Sequence, residues 1–215
     1  MKQTGNLLII GDSYSTFEGH IPEGFSIYYK NPPCPYTDLT KVEETWWHQF
    51  VKKTNANLVL NSSFSGSTVC NTGYDGKIVK QTSFLGRLKT LIDEHFFEEN
   101  KIDTVIVFGG TNDSWANSPI GSIKYSDWTE EDELAFLPAL CELLALVKEK
   151  APDARLITVI NTELKDEIVS GIKEISHHYG ADNVVLSDID KLEGHPTVKG
   201  MEQMYVQICE ALGFK

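Results

Sequence analysis

Five short runs along the chain are apolar at almost every position and rich in leucine and β-branched residues. A strand with one face in water would alternate between apolar and polar residues, so continuous runs indicate strands that are covered on both faces. They predict five buried strands, at residues 6–10, 57–60, 102–108, 155–160 and 183–186.

Patterns with helical spacing follow each of these runs. The clearest has Leu134, Leu137, Leu140, Leu144 and Val147 three or four residues apart, which places them along one face of a helix. The predicted helices cover residues 44–54, 83–99, 130–150, 162–179 and 197–212. Strand and helix therefore alternate, which predicts one α/β domain over residues 1–215, with a parallel sheet between helical layers.

Composition and charge narrow the class of protein. With 31 acidic and 19 basic residues the formal net charge is −12, so nucleic acid is not an expected partner. No apolar stretch approaches the roughly 20 residues that span a bilayer. The first predicted strand begins without a secretion signal, so we expect a cytoplasmic protein without membrane contacts. The four widely spaced cysteines lack a CxxC pair and favour reduced thiols over a metal site.

Small and polar residues gather directly after the predicted strands. In open α/β sheets, ligands bind outside the carboxyl ends of the strands, so these segments should meet at one edge of the sheet. The segments are residues 11–15, 61–68, 109–113, 161–162 and 187–197.

The residues in these segments suit acyl transfer. Ser13 is a candidate nucleophile, and His195 is a natural base to activate it because the unperturbed histidine pKa lies near neutrality. The oxyanion of a tetrahedral intermediate needs preorganised donors. The Ser13 N–H, the Gly66 N–H and the Asn112 side-chain amide are the candidates. We expect this chemistry to need no cofactor and no metal.

These segments resemble the four sequence blocks of the SGNH hydrolases, also called GDSL-type esterases or lipases. The resemblance implies a flavodoxin-like fold, a five-stranded sheet of order 2-1-3-4-5, and metal-free ester hydrolysis through an acyl-enzyme. The matching blocks are Gly-Asp-Ser-Tyr at 11–14, Asn61 to Gly66, Gly-Thr-Asn-Asp at 110–113, and His195-Pro196 followed by Gly200.

One position departs from the family pattern, which usually has an aspartate three residues before the histidine. This chain has Leu192 there. A carboxylate orients the imidazole and stabilises its cation. The nearby carboxylates are those of Asp188, Asp190 and Glu193, and the choice is between the last two. Asp190 is preferred because a loop could return it to His195, whereas Glu193 is so close in sequence that its geometry is tight. The third alternative is a Ser–His pair helped by a main-chain carbonyl.

Aromatic residues crowd the segments around the predicted nucleophile. Tyr14, Tyr28, Tyr29 and Trp115 are the candidates for substrate contact. They have two interpretations, packing within loops or an aromatic wall that suits sugar rings and other flat, partly apolar groups.

The sequence therefore predicts a serine hydrolase whose partner is a small ester, with short-chain acyl esters and carbohydrate O-acetyl groups as candidate substrates. Within the same family the alternative is a thioesterase or lysophospholipase. From another class, the alternative is a carbohydrate-binding module that keeps the fold with weak catalysis. A nucleotide binder is disfavoured because the segment after the first strand lacks a glycine-rich phosphate loop. The oligomeric state is not predicted.

Overall fold

The central element is a five-stranded parallel sheet of order β2-β1-β3-β4-β5, seen in a computed structural model that describes residues 4–214. This confirms the predicted fold class and strand order. The strands are β1 (Asn6–Gly11), β2 (Asn57–Ser63), β3 (Thr104–Phe108), β4 (Arg155–Ile160) and β5 (Asp182–Val185).

Helices cover both faces of this sheet. They are α1 (Trp46–Thr54), α2 (Phe84–Asp93), α3 (Phe96–Glu99), α4 (Thr111–Trp115), α5 (Phe136–Lys150), α6 (Asp166–His178) and α7 (Val198–Leu212). Side chains of β1 alternate between the faces. Leu7 and Ile9 pack in the core cluster with residues of α1 and α7, and Leu8 and Ile10 pack in the cluster with residues of α2, α5 and α6. Burial on both faces explains why the strands read as continuous apolar runs.

Side-chain caps set the start of three helices. Thr45, Ser83 and Thr197 each accept a hydrogen bond from a backbone N–H in the first turn of α1, α2 and α7. The helix predicted over 83–99 is in fact two helices, because His95 adopts a left-handed conformation with φ 60° between them. In the part of the chain that is described, no helix is both long and apolar enough to cross a membrane.

The strand register brings the carboxyl ends of the central strands to one level. Gly11, the last residue of β1, pairs with Ser63 of β2 and with Phe108 of β3. The segments that follow these three strands therefore leave the sheet side by side. A separate two-stranded hairpin of β6 (Lys191–Leu192) and β7 (His195–Pro196) precedes α7.

Candidate active site

Ser13 lies in a tight turn directly after β1. Residues Ser13–Ser15 form a 3₁₀ turn, and the Asp12 carboxylate caps it by accepting a hydrogen bond from Tyr14 N at 3.0 Å. Gly11 is required just before it, because a Cβ there would lie 2.6 Å from Ser63 Oγ. The chain therefore turns sharply at the sheet edge and leaves Ser13 only 3% exposed.

Residues from β2 and α1 hold this turn in place. Asn61 donates from Nδ2 to the Ser15 carbonyl at 2.8 Å, and Trp46 donates from Nε1 to Ser15 Oγ at 3.2 Å. Asn61 begins the second family block, and its contact shows that it supports the turn at Ser13.

The structure brings His195 to Ser13 across 182 residues of sequence. Nε2 of His195 lies 3.0 Å from Ser13 Oγ, and Nδ1 lies 3.4 Å from the main-chain carbonyl oxygen of Glu193. A carbonyl oxygen can only accept, so the proton of the neutral ring belongs on Nδ1. Nε2 is then free to accept the Ser13 hydroxyl proton, which is the geometry of a general base and its nucleophile.

The β6–β7 hairpin explains how a carbonyl comes to face the ring. Its two turn residues, Glu193 and Gly194, have φ of 47° and 78°, the pair of positive values that a type I′ turn requires. Leu192, at the position where the family has aspartate, pairs directly with His195 across the hairpin. The Glu193 side chain is exposed on the turn, while its carbonyl accepts from Nδ1.

Neither predicted carboxylate reaches His195, which corrects the expectation of a Ser–His–Asp or Ser–His–Glu set. The Asp190 carboxylate accepts a hydrogen bond from Thr197 Oγ1 and lies 3.7 Å from Lys199 Nζ, so it anchors the hairpin to the start of α7. Within residues 4–214, the hydrogen-bond partner of Nδ1 is the Glu193 carbonyl. The third alternative from the sequence, a main-chain carbonyl, is the arrangement that the structure contains.

The pKa of His195 is lowered from 6.5 to about 4, chiefly by burial and to a smaller extent by the cationic Lys191, against the opposing effect of the Glu193 carbonyl. Lys191 is held near the ring by hydrogen bonds from Nζ to Thr162 Oγ1 at 2.6 Å and Glu163 Oε2 at 2.9 Å. The imidazole is therefore neutral at pH 7 and can accept a proton.

Three aromatic rings surround the imidazole. Tyr28 stacks on it with centroids 3.6 Å apart and planes within 7°. Trp115 meets it edge-on at 5.7 Å, and Tyr14 lies tilted at 5.4 Å. Together they restrict the plane of the ring from several sides.

The four aromatic residues predicted to contact substrate divide into two pairs. Tyr14 and Tyr29 are fully buried, and their hydroxyls donate to the carbonyls of Gly194 and Pro196. They brace the hairpin and offer no face to a substrate, which corrects that part of the prediction. Trp115 is 40% exposed and Tyr28 is half-buried, so these two rings remain accessible beside Ser13 and His195.

The predicted oxyanion donors lie on the segments after β1, β2 and β3. Asn112 is buried in α4, and its Nδ2 has no hydrogen-bond partner in the described chain. Gly66 is exposed in a turn with φ 84°, and open space surrounds the position of a Cβ there. Across residues 4–214, the backbone N–H groups of Ser13 and Gly66 donate to no acceptor. None of the three donors therefore has a hydrogen-bond partner within residues 4–214.

Two buried residues join these segments beneath the site. The Asp113 carboxylate accepts from Val69 N at 2.9 Å, which ties the segment after β2 to α4, and burial raises its pKa to about 6. Arg87 on α2 donates to the Gly11 carbonyl at 3.0 Å and to Ser67 Oγ at 3.1 Å, which ties the segments after β1 and β2 together.

Three residues at the site were not predicted from the sequence: Arg87, Lys191 and Tyr74, whose hydroxyl donates to Asn112 Oδ1 at 2.8 Å. Arg87 interrupts the buried face of α2, where Phe84, Leu85 and Leu88 are apolar, and that interruption was a usable signal.

For metals, no group of three or more His, Cys, Asp or Glu side chains in the described chain is arranged as a binding site.

Comparison with known proteins identifies close relatives. The family model for GDSL-like lipase/acylhydrolase matches residues 5–212. A solved structure named as a GDSL-like lipase from Bacteroides ovatus is 40% identical, with both chains covered to 100% and a TM-score of 0.90. A second, from Bacteroides uniformis, is 43% identical over 98% of this chain and 96% of that chain, also with a TM-score of 0.90.

More distant structures share the fold alone. An acetyl xylan esterase from Butyrivibrio proteoclasticus is 18% identical, with a TM-score of 0.60 over 100% of this chain and 65% of that chain. A search of curated proteins gives no match. With the family match over nearly its whole length and two relatives at 40% identity or more, the chain belongs to the GDSL-like lipase/acylhydrolase family of hydrolases.

Proposed function

We propose that this protein is a serine ester hydrolase that acts through an acyl-enzyme on short-chain acyl esters, with carbohydrate O-acetyl groups as the leading substrate class. The observation that carries the proposal is the 3.0 Å contact between Ser13 Oγ and His195 Nε2, made by a histidine with a free lone pair at neutral pH. Family membership supports the reaction class.

Acylation begins when His195 Nε2 takes the hydroxyl proton of Ser13. The Oγ then bonds to the ester carbonyl carbon, and the carbonyl π electrons move onto its oxygen. Asn112 Nδ2 and the N–H groups of Ser13 and Gly66 donate to this oxyanion. When the carbonyl re-forms, the C–O bond to the alcohol breaks, and the alkoxide leaves with the proton from His195.

Deacylation repeats these steps with water. His195 takes a proton from the water molecule, whose oxygen bonds to the acyl carbon. The same three donors hold the second oxyanion. Collapse breaks the bond to Ser13 Oγ, which recovers its proton from His195, and the carboxylic acid leaves.

The Glu193 carbonyl supplies one of the two functions of a triad carboxylate. In serine proteases, replacing the aspartate by asparagine costs about 10⁴-fold in kcat because the histidine adopts the wrong tautomer. The Glu193 carbonyl accepts only, so it keeps the proton on Nδ1 and avoids that cost. What it lacks is a full negative charge to stabilise the imidazolium.

The accessible rings support the choice of substrate class. Trp115 and Tyr28 offer flat, partly apolar surfaces next to the nucleophile, which suit a sugar ring. An acetyl xylan esterase is also among the structures with this fold.

Hydrolysis of p-nitrophenyl acetate and of acetylated sugars, with wild type and Ser13→Ala, tests the proposal. Ser13→Ala should lose at least about 10³-fold in kcat. The matched control is Ser170→Ala, on the exposed surface of α6, which should keep full activity. Ser13→Ala with near wild-type turnover contradicts the proposal. Sugar binding without Ser13-dependent turnover also contradicts it and favours the binding-module alternative, whereas preferential turnover of thioesters or lysophospholipids overturns the substrate class.

A further inference from the structure

Tyr74 contacts Asn112 from a loop that the reaction scheme does not use. Its hydroxyl lies 2.8 Å from Asn112 Oδ1, and the two residues are 38 positions apart in sequence. The other end of the same amide, Nδ2, is buried and has no partner in the described chain. The contact thus engages one atom of the amide and leaves the other available.

The loop that carries Tyr74 is well connected to the rest of the molecule. A bridge pairs Thr72 with Ile78, and Gly73 N donates to the Lys77 carbonyl at 2.8 Å. At its base, Thr72 Oγ1 donates to the Leu134 carbonyl at 2.8 Å. These contacts hold the loop that carries Tyr74 in place, although Tyr74 itself is 41% exposed.

The orientation of the Asn112 amide decides whether it can serve as an oxyanion donor. An amide has a donor end and an acceptor end, and rotation by half a turn exchanges them. With Nδ2 toward the reacting carbonyl it stabilises the oxyanion, whereas with Oδ1 there it would repel it. In the structure the Tyr74 hydroxyl donates to Oδ1, so Nδ2 is the end of the amide that is left without a partner in the described chain, as in the first orientation.

We propose that Tyr74 is a positioning residue that holds the Asn112 amide with Nδ2 toward the oxyanion. The proposal rests on the proposed function, in which Asn112 is an oxyanion donor. Tyr74 acts through Asn112 and does not itself need to touch the substrate.

A double-mutant cycle on p-nitrophenyl acetate hydrolysis tests this role. Asn112→Ala should lower kcat by about 10²–10³-fold. Tyr74→Phe, which removes only the hydroxyl, should lower kcat by about 2- to 12-fold, the range of one neutral hydrogen bond, with little change in KM. In the Asn112→Ala background, Tyr74→Phe should have no further effect. The matched control is Tyr205→Phe on α7, which should match wild type.

Three kinetic results overturn the proposal: no effect of Tyr74→Phe, the same loss in both backgrounds, or a change confined to KM. The last two would indicate direct contact with substrate. If wild type shows no Ser13-dependent turnover, the proposed function fails on its own. The positioning role is then read from an atomic-resolution or neutron structure, where Oδ1 facing Tyr74 supports it and Nδ2 facing Tyr74 contradicts it.

Discussion

At the scale of single residues, the proposed base His195 lies next to Ser13 without a carboxylate partner. Its Nδ1 proton is directed by the Glu193 carbonyl, and its ring plane is restricted by Tyr28, Trp115 and Tyr14. The main-chain oxygen therefore sets the tautomer of His195, and packing against aromatic rings sets its position. Within residues 4–214, no carboxylate contacts the ring to stabilise the imidazolium, so nothing of that kind raises the pKa of His195.

The first prediction concerns the pH dependence of kcat/KM. In the proposed mechanism the neutral imidazole is the active form, so kcat/KM should rise with pH through the His195 pKa of about 4. Lys191→Met removes a nearby cation, which makes protonation easier and should move this acid limb to higher pH. A wild-type limb near 6.5, the ordinary histidine value, would contradict the account.

The second prediction concerns the two carboxylates near the hairpin. Glu193→Gln keeps the main-chain carbonyl, and Asp190→Asn keeps an acceptor for Thr197 Oγ1. Both variants should stay within about tenfold of wild-type kcat, far above His195→Ala, since neither carboxylate touches the imidazole. Either variant falling to the level of His195→Ala would assign that carboxylate a triad role.

At the scale of structural elements, the β6–β7 hairpin places His195 next to Ser13. Its turn is short because two residues with positive φ suffice to reverse the chain. Gly200, in the first turn of α7, lets the helix approach closely, since a Cβ there would lie 2.0 Å from the Asp190 carbonyl oxygen. The hairpin is therefore held between α7 and the aromatic residues around His195.

The third prediction tests this hairpin. Gly194→Ala adds a Cβ at φ 78°, about 3.1 Å from the Trp115 ring, which should shift the turn and His195 with it. Because small displacements of a catalytic group are costly, kcat/KM should fall by about tenfold or more while the fold is kept, as seen by circular dichroism. Gly180→Ala is the matched control, with φ 65° and open space around the Cβ, and should keep full activity. Equal activities of the two variants would contradict a positioning role for the turn.

The strands and the residues at their ends were predictable because apolar runs and family blocks are local signals. Ser13, Asn112 and His195 each sit in such a block. The preference for the Asp190 carboxylate as the partner of Nδ1 was wrong because that partner depends on hairpin geometry, and Glu193-Gly194 is not among the strong turn pairs. Tyr74 was missed because its contact joins residues 38 positions apart without a pattern in the sequence between them.

At the scale of the whole molecule, the buried carboxyl group of Asp12, next to Ser13, makes the free energy of unfolding depend on pH. The pKa of Asp12 is raised from 3.8 to about 7, chiefly by burial and in part by the neighbouring Asp113, against the lowering effects of the hydrogen bond from Tyr14 N and of Arg87. A folded-state pKa above the unfolded value means that the folded protein binds the proton more tightly. This contribution to stability is present below the unfolded pKa and is lost as pH rises through the folded pKa.

The fourth prediction follows from that sign. Asp12→Asn keeps an acceptor for Tyr14 N and removes the titration. The free energy of unfolding of Asp12→Asn, relative to wild type, should therefore increase between about pH 5 and about pH 8. Urea unfolding at both pH values measures it. A difference that is constant or decreases over this range would contradict a raised Asp12 pKa.

In the reaction proposed for this protein, Ser13 forms an acyl-enzyme after activation by His195. Rapid quenching of the reaction with p-nitrophenyl acetate, followed by mass spectrometry of the peptides, tests it most directly. We expect an acetyl group on Ser13 during turnover, and none on this peptide in Ser13→Ala or His195→Ala. Acetylation of another residue that accompanies full turnover in Ser13→Ala would contradict it.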